Sequence, residues 1–253
     1  MTLCQKSFIG DPHKFSLFNF HFSILSMFNF HTYSIDEEPC LLNVDMADLQ
    51  PSYPEHVKLS VGLHPWKVSD DWQKDFEKVC SAAQRADVWA IGECGLDKVR
   101  GAALLLQQEA FEAHIALAQE SRKPLVVHCV RAFDELLGLR KKWEQLCRQE
   151  GESLQPWIIH GFRGKPEQAQ QIMAKGLLLS FGHHYHVETL RSVFAAFQKA
   201  FLEGVTGVNP FFLETDDLHL SVRQIYEQAA HHLDVDVDLL SRFCDPRQTI
   251  FSL

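Results

Sequence analysis

A chain of 253 residues with 46% hydrophobic and 23% charged side chains has the composition of a single globular domain. Its formal net charge of -9 excludes a protein that coats nucleic acid over its whole surface, while leaving room for a local basic site. No run of 18 or more apolar residues occurs, so no membrane-spanning helix and no membrane partner is expected.

In chain order, residues 15–30 read FSLFNFHFSILSMFNF, rich in Phe but interrupted by Asn19, His21, Ser23 and Ser26. A secretory signal has a cleaner apolar stretch and a small-residue cleavage site. The first convincing strand opens at Met27. Residues 1–26 are therefore expected to be an N-terminal extension outside the fold, and 27–253 a single domain. The alternative is an extra strand or helix plugging the barrel bottom.

From Met27 onward eight β-rich runs recur: 28–35, 41–44, 57–63, 88–93, 124–129, 157–161, 177–182 and 211–215. Several are continuous apolar runs, the pattern of strands buried on both faces of a parallel sheet. Helical patterns fill the gaps. Leu104, Phe111, Ile115 and Ala118 share one face, as do Leu190, Phe194, Phe197 and Phe201, and Pro166 suits a first helical turn. The order predicts an α/β fold, a (β/α)8 TIM barrel. Only about five residues separate the first two strands, fewer than a parallel crossover needs. The first quarter of the barrel is thus expected to be shortened or irregular. The seven scattered cysteines form no CxxC pair, which fits buried thiols in a reducing, cytoplasmic setting.

Polar residues interrupt these strands at one shared level. Glu93, His128 and His160 end strands four, five and six, Asp216 follows strand eight, His31 lies in strand one and His64 follows strand three. The carboxyl ends of barrel strands open on one face, where catalytic groups gather. Imidazoles and carboxylates are the ligands that zinc, manganese or similar ions accept. A lone histidine is more often a hydrogen-bonded core residue, but acid and imidazole groups ending four separate strands strain that explanation.

The segments VGLHPW (61–66), AIGECGLD (90–97), PLVVHC (124–129), IIHGFRG (158–164) and FLETDD (212–217) resemble, in the same order, the signatures of the TatD-type metal-dependent hydrolases. The resemblance implies a deoxyribonuclease that cleaves phosphodiester bonds of DNA by metal-activated water, with one or two divalent ions (Mg, Mn or Zn) and no obligate protein partner. By matched position it implies that Glu93 bridges two ions, His128 and His160 hold the second, and Asp216 completes the first and orients the attacking water. Glu93 and Asp216 are the expected catalytic residues. The family's opening His-x-His matches His31-Thr32-Tyr33, so His31 fits as a ligand and Tyr33 departs. The loss of that second histidine is expected to weaken the first metal position and spare the His128/His160 pair, so that one ion is held well and the other poorly, with reduced activity. Lys98 and Arg131 also depart from the usual pattern.

Lys67, Lys98, Arg100, Arg131, Arg163 and Lys165 all follow strand ends, on the expected catalytic rim. Arg163, Lys98 and His64 are the expected substrate contacts. Trp66 is weighed as a base-stacking platform against a packing role, and His183, His184 and His186 as substrate contacts against a solvated loop. Cys94 and Cys129 are expected to fill the barrel. Two alternatives stand beside the nuclease: hydrolysis of another amide, lactone or ester, and a degenerate barrel with weak or no turnover because of Tyr33.

Overall fold

The computed structural model describes residues 26–35, 37–204 and 211–251, the side chain of residue 201 excepted. The expected extension therefore lies outside the described residues, apart from Ser26.

Eight parallel strands follow one another around the sheet in chain order: β1 (Asn29–Thr32), β2 (Cys40–Val44), β3 (Val57–Val61), β4 (Val88–Asp97), β5 (Leu125–Val130), β6 (Trp157–Ile159), β7 (Leu178–Phe181) and β8 (Phe212–Leu213). A bridge between Thr32 and Asp216 brings β8 back to β1, so the sheet is a nearly closed barrel. Helices α1 (Gln73–Ala82), α2 (Leu104–Ser121), α3 (Phe133–Gln149), α4 (Pro166–Met173) and α5 (Val187–Leu202) follow β3 to β7 in turn. After β8 come α6 (Val222–Leu233) and α7 (Val237–Phe243). Among the described residues no helix follows β1 or β2. The short first connection leaves the first quarter without crossover helices, as expected.

The strands are apolar on both faces because each separates two cores. The helix-facing side packs Leu42, Leu59, Val127, Ile159 and Leu179 against α1 to α6. Inside the barrel, Phe28, Phe30, Leu41, Ala90, Val126, Ile158 and Phe212 form a separate cluster. Phe30 stacks on Phe212 with centroids 4.4 Å apart, and Phe251 packs against Phe28 and Trp89. Burial of one such ring stabilises the fold by roughly 1.5–3 kcal/mol. This apolar interior underlies the polar mouth.

At the seam the ladder is short, and side chains complete it. Asn29 donates to the Thr215 hydroxyl at 2.8 Å and accepts from its backbone N–H at 3.0 Å. The Asp216 N–H donates to the His31 carbonyl, and the Tyr33 N–H to the Asp216 carbonyl. These bonds set Asp216 beside His31 although 185 positions separate them in the chain.

Strand four corrects one expectation. Glu93 does not end it: β4 runs on to Asp97 and pairs with β5 from Cys94 to Asp97. Gly92 and Gly95 adopt φ of 143° and 142°, and the register shifts between Ile91 and Cys94. A Cβ at either glycine would lie within 2.3 Å of a β5 carbonyl oxygen, so the close approach of these strands requires glycine. His160 likewise sits one residue beyond β6.

Candidate metal centre

Glu93 is the hub of the barrel mouth, with only 3% of its side chain exposed. Four imidazoles from four strand ends reach it. His128 Nδ1 lies 2.8 Å and His160 Nε2 2.7 Å from Oε1, His64 Nε2 lies 3.0 Å from Oε1, and His31 Nε2 lies 3.3 Å from Oε2. The Tyr33 hydroxyl donates to Oε2. The Glu93 N–H donates to Asn43 Oδ1 at 2.7 Å, fixing the backbone that carries the carboxylate. Burial alone would raise the Glu93 carboxyl, but the imidazoles of His160, His128 and His31 outweigh it and hold it well below the usual carboxylate range.

Two groups of side chains each bring their ligand atoms within 4.8 Å of one another: His31 with His160 and Asp216, and His64 with Glu93 and His128. The fit to a cation can be judged from buried atoms. His31 is fully buried with neither ring nitrogen in a well-formed hydrogen bond, its Nε2 only facing Glu93 Oε2 from 3.3 Å. An unsatisfied buried polar atom costs about 1–3 kcal/mol and calls for an explanation. Imidazole nitrogens with carboxylate oxygens are a donor set suited to zinc, manganese and similar divalent ions, so these residues fit such an ion. Both expected ligands of the second ion, His128 and His160, touch the same Glu93 oxygen, yet the two groups divide them. His64, expected to contact substrate, stands among the ligand-type residues.

Outer partners orient several of these rings. His128 Nε2 lies 3.3 Å from Asp97 Oδ2, which also accepts from Trp66 Nε1 at 2.6 Å. The Arg100 guanidinium sits 3.9 Å above the Trp66 ring. His160 Nδ1 faces the fully buried Glu214 at 3.5 Å, and Ser180 donates to the other oxygen of that carboxylate. Burial works against a protonated His160, but the carboxylates of Glu93 and Glu214 raise its imidazole well above the usual range. Asp216 is pushed up by burial and then by Glu214. The Tyr33 phenol is raised by burial and then by Glu93, so it remains a neutral donor.

Helix α2 supports two mouth loops from behind. Gln107 accepts from the Asp97 N–H at 2.7 Å and donates to the carbonyls of Asp97 and Ala102 at 2.9 and 2.7 Å. Two turns on, His114 Nε2 accepts from the Leu63 N–H at 2.9 Å while Nδ1–H donates to the Ala110 carbonyl. Burial pushes this imidazole down to about 4, so it stays neutral.

Around the rim, Lys98 pairs with Glu135 at 2.7 Å and Lys67 with Asp45. Arg163 is exposed and lines a small recess with His183, His184 and Asp216. Cys94 and Cys129 are raised by burial, Cys129 to about 12, so neither offers a thiolate. Residue-level reading of the chain passed over Asp97 and Glu214, although both lie inside the segments it used. It also passed over Asn43, Gln107 and His114, which only the three-dimensional arrangement reveals.

Comparison with known proteins adds three findings. Residues 29–229 match the family described as TatD related DNase. The chain is 34% identical over 131 residues to a protein of Yersinia pseudotuberculosis named 3'-5' ssDNA/RNA exonuclease TatD, and 34% identical over 122 residues to one of Citrobacter koseri with the same name. These alignments take in 51% and 47% of this chain but 47% and 44% of the relatives, so the chain spans about half the length of the curated relatives it matches. In fold, it resembles a TatD homologue of Escherichia coli (TM-score 0.64, 15% identity, 89% of this chain and 98% of that one). It also resembles a TatD family hydrolase of Entamoeba histolytica (TM-score 0.61, 12% identity, 87% and 95%).

Proposed function

Since this chain belongs to the TatD-related DNase family, we propose that it is a metal-dependent phosphodiesterase that cleaves single-stranded DNA or RNA. One observation carries this reading above the others: a buried carboxylate, Glu93, meets four imidazoles at a barrel mouth, with Nδ1 of the fully buried His31 left without a hydrogen bond. The names of the relatives, 3'-5' ssDNA/RNA exonuclease TatD, support nucleic acid as the substrate.

Under this proposal His31, His64, Glu93, His128, His160 and Asp216 hold one or two divalent ions. A bound ion of this kind supplies Lewis acidity and lowers the pKa of water toward neutrality. The protein's own groups do the rest. Asp97 and Glu214 fix the orientations of His128 and His160. Asp216 Oδ1, 3.7 Å from His31 Nε2 and partly open at the mouth, orients the attacking water and accepts its proton. Arg163 offers a cation to the phosphate oxygens. Lys98 contributes less, because Glu135 already engages it.

A reducing, cytoplasmic setting fits the free thiols of Cys80, Cys94, Cys129, Cys147 and Cys244. Among the described residues no helix is long and apolar enough to cross a membrane.

The direct test is to incubate the purified protein with end-labelled single-stranded DNA and RNA in Mg²⁺, Mn²⁺ or Zn²⁺. Shortening of the strand, abolished by chelator and by Glu93→Gln, supports the proposal. Intact strands in all three metals, with hydrolysis of an amide, lactone or carboxylic ester instead, would reject it.

A further inference from the structure

A cavity of about 760 Å³ opens beside the metal centre. Its origin lies in the missing crossover helices. Among the described residues no helix follows β1 or β2, and the 45–56 segment and α1 line the space beside β2. The space left there reaches from Glu93 and His64 at the mouth to Val44 of β2 and Val79 of α1.

Its walls indicate the chemistry of an occupant. Tyr33 and Tyr53 supply aromatic faces, and Val44 and Val79 an apolar floor. Four carboxylates line it, Asp45, Asp48, Asp75 and Glu93, against two cations, Lys67 and Lys78. Both cations are already paired, Lys67 with Asp45 and Lys78 with Asp75. A phosphate would meet a surplus of negative charge here. A neutral heterocycle with amino and imino N–H donors would meet aromatic faces and an available acceptor in Asp48. The volume falls within the roughly 300–1,000 Å³ of small-molecule sites, enough for a nucleoside. Across the barrel, Arg163, His183 and His184 gather around Asp216. Polyanion and neutral group thus have separate places on either side of Glu93.

We propose that this cavity binds the terminal nucleoside of the substrate strand, placing the adjacent phosphodiester at Glu93 and the remaining strand toward Arg163. The proposal rests on the phosphodiesterase reading above and adds to it a recognition site for a strand end. On the side remote from Glu93 the lining comes from Asp75, Lys78 and Val79 of α1, and under this proposal the strand ends there.

The test compares two substrates in the Mn²⁺-loaded protein: a short oligothymidylate, and bis(p-nitrophenyl) phosphate, which carries the diester without a nucleoside. Ala47→Trp fills the cavity from an exposed wall position, and Tyr53→Ala removes an aromatic face. Each should lower the ratio of kcat/KM for the oligonucleotide to that for the small diester, by at least about ten-fold for Ala47→Trp. A ratio unchanged within two-fold in both variants overturns the inference. Thymidine binding to the metal-free protein, read by saturation-transfer NMR, gives a second measure. The signal should appear in the wild type and vanish in Ala47→Trp; no signal, or an equal one in the variant, counts against the cavity. If the wild type turns over neither substrate, the phosphodiesterase reading fails and the thymidine measurement alone decides this inference.

Discussion

His31 Nε2 and the Tyr33 hydroxyl address the same oxygen of Glu93, the ring nitrogen from 3.3 Å and the phenol by hydrogen bonding. One is a fully buried imidazole, and the other a neutral donor. Both come from the end of a single strand, β1, and its first following residue. A phenol donating its proton to the carboxylate occupies a lone pair that a cation would use, and its own oxygen is a weak ligand unless deprotonated. The position that departs from the family's opening motif therefore bears directly on the hub carboxylate.

Tyr33→His should raise bound metal, measured by mass spectrometry after loading in excess Mn²⁺, from about one ion per chain toward two. Turnover should rise with it. Tyr33→Phe removes the competing donor without adding a ligand, so it should leave the count near one. Equal counts in all three proteins would mean that Tyr33 does not limit occupancy.

Asp97 and Glu214 should matter almost as much as the ligands they face. Partners of this type typically change metal affinity or activity by about 10–100-fold. Asp97→Asn and Glu214→Gln should each weaken metal binding within that range in calorimetric titration while leaving the fold intact by circular dichroism. Ser180→Ala should give a smaller loss, because it touches Glu214 and not an imidazole. Unaltered affinity in both carboxylate variants would show that they only fill space.

His114 makes the fold sensitive to acid. Its folded value of about 4 lies below the 6.5 of a free imidazole, so below pH 6.5 the unfolded chain takes up a proton that the folded chain refuses. Its contribution is fully present above pH 6.5 and is lost as pH falls toward 4, about 3 kcal/mol over that window. Protonation would also break the bond from the Leu63 N–H and so disturb the loop carrying His64. His114→Gln retains an acceptor and a donor but does not titrate. Urea unfolding at pH 7 and pH 4.5 should show a smaller pH-dependent loss in the variant; identical losses would contradict this role.

Arg163→Ala should raise KM for an oligonucleotide several-fold with a smaller effect on kcat, and should flatten the dependence of binding on salt. Lys98→Ala should do less, since its charge is shared with Glu135. The reverse order would reassign the phosphate contact.

Most of the barrel could be read along the chain because its strands are continuous apolar runs, and runs such as VVHC and WIIHG allow few other interpretations. The short first connection was legible as arithmetic: too few residues for a helix. The path of β4 was not. Gly92 and Gly95 adopt backbone angles that hydrophobic periodicity does not register, so the strand passes through Glu93 instead of stopping there. The histidines and Asp216 were legible as strand-end residues, but their partition was not, since which nitrogen meets which oxygen depends on the curvature of the barrel. Gln107 and His114 look like ordinary members of an amphipathic helix until the loops they hold are seen. The cavity beside β2 is lined by separate segments between Tyr33 and Glu93, and no residue pattern announces how they meet.

The proposed chemistry needs a cation held where the strand ends converge. Crystals soaked in Mn²⁺ and measured at its absorption edge test this directly. An anomalous peak is expected among His64, Glu93 and His128, with a weaker one among His31, His160 and Asp216 that strengthens in Tyr33→His. A mouth without any anomalous peak at saturating Mn²⁺, or Mn²⁺ bound only elsewhere on the surface, would contradict it.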